Sequence, residues 1–409
     1  MMNKYLIPAA VLCIALAGSG MAATTQKTTV TTVLTFAETN GAYPFDGLTY
    51  DGNDTLYGAA FGGGKYGYGV VYQLTESGSG AWTPAIVHSF EDPTTEGANP
   101  YGTLLLGSDG QIFGTTAHGG TNGLGAVFEL TPPLQQGGPW ALTLLYSFGS
   151  APNDGIYPYS GLVMDKNGIL YGTTVSGGGA GQGTVYSLTP SGGNWTEKVL
   201  YSFAGGADAS NPYATLTMSS TGTLYGTAPY GGTTGSGAVF ALMPGAGGSW
   251  SESLLCAFPG GTGGANPYGG VMIGASGGLY GATTNGGSQS AGTIYRCTQS
   301  KSGSWNIAVL YNMPSFAASY STLVTDSTGA LYGTTPGSHG NSSNDGIVFK
   351  LSPPATQGGS WTPSTLYAFP GALGNGPRAG LTWGPNGTLF GATVGLGSLS
   401  IGTVFQMTF

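Results

Sequence analysis

From residue 29 onward, short apolar runs alternate with glycine-rich turns, and no stretch sustains the 3.6-residue hydrophobic period of a helix. Residues 160–203 show the unit. The apolar run 161–164 ends in the turn Asp165-Lys166-Asn167-Gly168, and residues 169–174 form a second strand. Ser176-Gly177-Gly178-Gly179 makes a loop in which glycine can take positive φ. Residues 183–189 read as a third strand, Pro190-Ser191-Gly192-Gly193 as a turn and residues 195–203 as a fourth strand. Four short strands bounded by turn residues predict one antiparallel meander.

The unit recurs. Tyr57, Phe113, Tyr171, Tyr225, Tyr280, Tyr332 and Phe390 each precede a glycine in the second strand, at spacings of 52 to 58 residues. Such a period predicts one supersecondary unit per repeat, stacked as a solenoid, propeller or array. In six repeats a second aromatic follows fifteen residues later (Tyr171 to Tyr186 in the unit above); from Tyr332 to Phe349 the interval is two residues longer. On the fourth strand Trp82, Trp140, Trp195, Trp250, Trp305 and Trp361 stand eight residues before Phe90, Phe148, Phe203, Phe258, Met313 and Phe369. Eight is even, so an unbroken strand turns both residues to one side of the sheet.

Repeats begin near residues 44, 100, 158, 212, 267, 320 and 377. The seventh stops after its third strand, whereas residues 29–36 supply an orphan fourth strand with Phe36 at the recurring Phe position. A linear stack would leave both ends as exposed edges; a ring lets the first strand complete the last sheet. The expectation is an all-β fold: a single seven-bladed β-propeller over residues 24–409, built from four-stranded antiparallel blades and closed by the N-terminal strand.

Composition narrows the class. The 78 Gly and 24 Pro approach low-complexity levels, but 7 Trp, 24 Tyr and 16 Phe are too many for a disordered chain. With 9 Lys and Arg against 17 Asp and Glu, the net charge is −8. Nucleic acid and anionic membrane surfaces are therefore not its natural partners. Lys4, an apolar run over 5–17 and small residues over 18–23 read as a secretory signal, residues 1–23. That run is too short for a convincing membrane span. The expectation is a secreted or cell-surface protein with no integral membrane span in the mature chain. Cys13 lies inside the signal. Cys256 and Cys297 fall in neighbouring repeats, where a disulfide is conceivable in an oxidising compartment; two buried thiols are the simpler expectation.

Candidate chemistry lies in the loops that lead into each first strand. They carry Tyr43-Pro44-Phe45, Asn99-Pro100-Tyr101, Tyr157-Pro158-Tyr159, Asn211-Pro212-Tyr213, Asn266-Pro267-Tyr268, Ser319-Tyr320 and Pro377-Arg378. Ring closure gathers Phe45, Tyr101, Tyr159, Tyr213, Tyr268, Tyr320 and Arg378 at one mouth of the central channel. Exposed aromatic platforms suit sugar rings or other flat, weakly polar ligands. Alternatively Pro fixes the turn and the aromatic plugs the gap between blades. Asp46, Glu96 and Asp154 fall on the same face, as an acid/base pair, a Ca²⁺ site or plain solvated surface. His118 and His339 sit in loops between second and third strands, and His88 in a fourth strand. The sequence contains no nucleophile motif, phosphate loop or Cys/His metal cluster, so no catalytic residue, metal or cofactor is assigned.

Leu170-Tyr171-Gly172-Thr173-Thr174, Gly177-Gly178, Gly183-Thr184-Val185-Tyr186 and Trp195 through Val199-Leu200-Tyr201-Ser202-Phe203 together resemble the GloVer tandem repeat. That family comprises exported bacterial proteins described by their varied surface anchors ("choice-of-anchor"), and the resemblance spans about residues 29–409. It implies secretion or surface display and a propeller, and it brings no catalytic residues. The chain ends at Phe409 without the family's C-terminal sorting signal, so release or an N-terminal anchor is expected. The functional expectation is a binding or interaction module, for glycans or surface polymers, through the channel mouth. A polysaccharide-acting enzyme using Asp46, Glu96 and Asp154, or a purely structural envelope scaffold, are the alternatives.

Overall fold

The computed structural model describes residues 28–409, apart from 79, 136, 315–318, 338–345, 357, 370–375 and 396–400. The expected signal segment and His339 lie outside these residues. Turn chemistry sets the strand ends. In the repeat containing Tyr171, Val163–Met164, Leu170–Thr174, Thr184–Ser191 and Asn194–Ser202 pair in sequential order as an antiparallel meander. Asp165 closes its first turn by accepting the N–H groups of Asn167 and Ile169 at 2.8 and 2.9 Å. Seven such sheets form among the described residues, making a seven-bladed β-propeller; the blades are numbered here by the order of their second strands.

The aromatic–glycine spacing has a steric cause. Gly172 lies opposite Tyr186 in the ladder, and a Cβ on it would fall 2.5 Å from the Tyr186 hydroxyl. Gly58, Gly114, Gly226, Gly281, Gly333 and Gly391 meet the tips of Tyr72, Phe128, Phe240, Tyr295, Phe349 and Phe405 in the same way, all within 2.6 Å. Each second strand thus surrenders one side chain so that a ring from the third strand can lie across it. These rings are fully buried or nearly so.

The fourth strand departs from the sequence reading. Its pairing with the third strand slips by one residue: Leu144 faces Phe128 and Tyr146 faces Val127, so Leu145 is bulged, and the other blades slip at the matching place. The extra residue inverts the parity of the strand. Trp and Phe eight residues apart therefore face opposite sides. Trp195 contacts Phe113 of blade 2 at 6.2 Å, whereas Phe203 contacts Phe240 of blade 4 at 5.0 Å. Trp140 and Phe148, Trp250 and Phe258, and Trp361 and Phe369 do the same. Each outer strand consequently locks the blade before it and the blade after it. The hydrophobic core is divided into seven clusters, one at each junction.

Closure follows the expected route. Thr29–Thr35 pairs antiparallel with Thr403–Thr408 as the outer strand of blade 7. Phe36 then packs on Tyr72 of blade 1 at 5.2 Å, and the Thr382 hydroxyl donates to the Leu48 carbonyl across the same seam. The cysteines correct an expectation. Cys256 and Cys297 are bonded as a disulfide, with Cα atoms 6.4 Å apart, across the junction of blades 4 and 5. Cys256 occupies the fourth-strand position that Tyr146 and Tyr201 hold in the two preceding blades. Among the described residues no helix is long and apolar enough to cross a membrane.

Candidate functional site

The lead-in loops divide their work among three residues. The residue before proline takes a left-handed conformation: Tyr43, Asn99, Tyr157, Asn211 and Asn266 have φ of 56° to 61°. Asparagine tolerates this conformation better than most residues. Its amide also binds the neighbouring blade: Asn99, Asn211 and Asn266 Nδ2 donate to the carbonyls of Phe61, Val175 and Pro229 at 2.8–2.9 Å. Proline packs on the glycine that opens the third strand of the preceding blade; a Cβ on Gly183 would fall 2.8 Å from Pro212 Cδ. With the junction sealed by Asn and Pro, the third residue is released toward the axis.

All seven predicted collar residues line one axial cavity of about 520 Å³. They also touch in order around it. Ring centroids are separated by 5.1 Å for Phe45–Tyr101, 5.0 Å for Tyr101–Tyr159 and 5.2 Å for Tyr159–Tyr213. Tyr213–Tyr268 and Tyr268–Tyr320 follow at 5.4 and 5.7 Å. The Arg378 guanidinium closes the circle, 4.3 Å from the Tyr320 ring centre and 5.9 Å from that of Phe45. Each of these side chains is half-buried. Rings that brace one another lose little freedom when a ligand arrives, and a guanidinium held on two π-faces keeps its N–H fork directed.

The proposed carboxylate trio is not brought together. Only Asp46 lines the cavity. Its Oδ1 accepts the Gly47 N–H at 2.7 Å and its Oδ2 the Thr103 N–H at 2.8 Å, bridging blades 1 and 2. Burial pushes its carboxyl above the usual range, against these donors. Glu96 turns outward to its own loop, accepting the Glu91 N–H at 2.8 Å and meeting His88 Nε2 at 3.1 Å. Asp154 is buried and accepts the Tyr146 hydroxyl at 2.8 Å and the Ser150 N–H at 3.0 Å. Both carboxylates satisfy donors near the outer strand, which draws them off the axis. Among the described residues no group of three or more His, Cys, Asp and Glu could hold a metal ion.

Three further rings flank the collar on blades 1, 2 and 4: Phe61 and Tyr230, not singled out from the sequence, and His118, which was. Phe61 contacts Phe45 and Tyr101 at 5.5 and 6.0 Å, and the Tyr230 hydroxyl bonds that of Tyr268. His118 lies among Phe61, Tyr157 and Tyr159, where burial lowers its pKa. The sequence signal of Phe61 and Tyr230 is a position four or five residues past the second-strand aromatic. At the cavity, burial pushes the Tyr101 phenol up to about 12, with Arg378 opposing and Asp46 reinforcing the shift. Burial raises Tyr159, Tyr213 and Tyr268 as well, so these phenols and that of Tyr101 are neutral donors and acceptors at ordinary pH.

Fold and site together define a seven-bladed propeller with an aromatic collar around an axial cavity. Two overlapping segments, residues 17–240 and 134–335, match the model of the Gloeobacter/Verrucomicrobia repeat, and the chain belongs to that family. No curated protein sequence matches it. Among solved structures it is similar to a putative 6-phosphogluconolactonase from Bacteroides uniformis, at 16% identity over 83% of this chain and 88% of that one, TM-score 0.52. It is also similar to the PL25 ulvan lyase bound to GlcA(1-4)Rha3S, at 11% identity over 92% and 95%, TM-score 0.55. An ancestral GH74 enzyme matches at 11% identity and TM-score 0.58 over 90% of this chain but 48% of its own length. At such identities the likeness concerns the fold.

Proposed function

We propose that the chain is an exported binding module that takes a glycan or surface polymer at the collar. One observation carries the reading. Six aromatic rings and one guanidinium converge on a concave cavity whose size lies within the roughly 300–1,000 Å³ of small-molecule sites. Sugar rings stack on aromatic faces through their C–H surfaces while their hydroxyls need donors and acceptors. The collar offers both. Export is supported by the signal-like residues 1–23 and by the Cys256–Cys297 disulfide, a bond that persists in oxidising compartments. A binding role fits the cavity lining better than acid/base hydrolysis, because among the described residues Asp46 is its one carboxylate and paired carboxyl chemistry needs two.

The test is retention of the purified chain on a panel of soluble glycans and insoluble polysaccharides, with the same wells assayed for released products. We expect retention without products. Tyr159→Ala and Tyr213→Ala should each weaken it about tenfold, the ~1.5 kcal/mol scale of an aromatic contact, with the folded state intact. Product release would replace this reading with an enzymatic one centred on Asp46. A blank panel, or alanine variants that bind like the parent, would sink the collar as a sugar site.

A further inference from the structure

The propeller repeats seven times, but its cavity does not. Immediately after each collar residue stand Asp46, Gly102, Ser160, Ala214, Gly269, Ser321 and Ala379: one charge among six small residues. One place further, Gly47, Thr103, Gly161, Thr215, Gly270, Thr322 and Gly380 alternate glycine with threonine. The alternation is built into the packing. Gly161 donates its N–H to Thr215 Oγ1 at 2.8 Å, and Gly270 to Thr322 Oγ1 at 3.0 Å. An alternation cannot close on an odd ring, so two glycines must meet somewhere. They meet at the seam of blades 7 and 1, where Gly380 faces Gly47, which has no hydroxyl to receive its N–H.

The two blades of this seam also supply both charges of the cavity lining among the described residues: Arg378 on blade 7, held over Tyr320, and Asp46 on blade 1, whose carboxylate is tied to Thr103 of blade 2. The seam itself is the roomiest part of this layer. A Cβ on Gly161 would fall 2.5 Å from the Thr103 carbonyl oxygen, and one on Gly102 would overlap the backbone of residues 160–161. At Gly47 the nearest atom would be 3.4 Å away, and at Gly380 3.7 Å. A position repeated in every blade serves the blade; the departures confined to one seam have no such duty.

Resting on the sugar-binding reading above, we propose that this seam and the two charges that flank it read the polar edge of a neutral sugar ring: Asp46 accepts from one of its hydroxyls, Arg378 donates to its oxygens, and Gly47 and Gly380 leave the space between them that it fills. The Gly47 N–H and the N–H and hydroxyl of Thr103 hold the Asp46 carboxylate in place and leave one of its about four acceptor sites for a ligand. Tyr320 and Phe45 hold Arg378. One charge of each sign selects a ligand that is itself uncharged. A uronate or sulfated sugar meets the Asp46 carboxylate, a cationic sugar meets Arg378, and like charges in a partly buried site repel strongly. A neutral polyol offers donors to one and acceptors to the other. The rest of the collar supplies stacking without choosing between charge classes.

The experiment is calorimetric titration of the purified chain with neutral oligosaccharides (gluco-, manno-, galacto- and xylo-) and with oligogalacturonate. At least one neutral series should bind, and oligogalacturonate at least tenfold more weakly. Asp46→Asn and Arg378→Gln should each weaken the neutral ligand tenfold or more, and Asp46→Asn should narrow the gap to oligogalacturonate, a change of preference that loss of structure does not produce. Gly380→Ala, which leaves every bond of Asp46 untouched, should lower affinity severalfold at unchanged melting temperature. Preference for oligogalacturonate, or full neutral-sugar affinity in both polar variants, overturns the seam assignment while the collar remains a sugar site. Failure of every saccharide to bind removes the underlying reading and this one with it.

Discussion

Glu197 and Glu252 show how a single side chain records its surroundings. Each stands two residues past the recurring Trp of its outer strand and faces the preceding blade. Burial, and then the carboxylates of Asp154 and Asp208 respectively, push both up to about 7. Tyr146 and Tyr186 lie near the first pair and Tyr201 near the second. A carboxyl whose folded pKa is raised favours the fold below its ordinary range and loses that contribution as pH rises through the raised value. Glu197→Gln and Glu252→Gln should therefore melt like the parent near about pH 4 and about 1–3 °C higher near about pH 8.5. Melting curves that shift equally at both pH values would contradict the assignment. At this scale the sequence was only partly legible. The spacing of the lead-in loops brought all seven collar residues to one mouth, whereas Glu96 and Asp154 do not reach the cavity that they were expected to line. Loop position tells where a carboxylate begins, but its nearest unpaired donors decide where it points.

Within a blade, the ladder explains why an aromatic always travels with a glycine. The ring of Tyr186 lies over the backbone of Gly172, so a methyl there has nowhere to go. Gly172→Ala should cost about 1–3 kcal/mol by overpacking. Gly179→Ala, with nothing within 4 Å of the added carbon, should change little. Differential scanning calorimetry of the two variants checks this, and equal effects would refute the steric account. Strand order and strand count were readable from turn residues and spacing. The bulge at Leu145 and its counterparts was not, because an extra residue in one strand shows only against its partner. That bulge decides what the Trp and Phe of the outer strand do: they grip two different neighbours instead of one.

In the whole molecule, stability is shared among seven junctions, and the closing junction is chemically like the others. Phe36, from the N-terminal strand, packs on Tyr72 as Phe203 packs on Phe240. If closure carries the same load as an internal junction, Phe36→Ala should destabilise about as much as Phe203→Ala, some 3–5 kcal/mol by cavity formation. Thermal unfolding of the two variants checks it; a negligible effect at Phe36 would mean that the ring opens readily. The sequence by itself determined the repeat, the four strands of each blade, the blade number and the seam, because turn residues and periodic apolar positions act locally and are written once per unit. Only the tertiary structure decided which side chains reach the axis together, that Cys256 meets Cys297, and that Asp46 and Arg378 flank the seam where two glycines meet. Those relations join residues up to several hundred positions apart, and an odd number of blades fixes their meeting place only when the ring is closed.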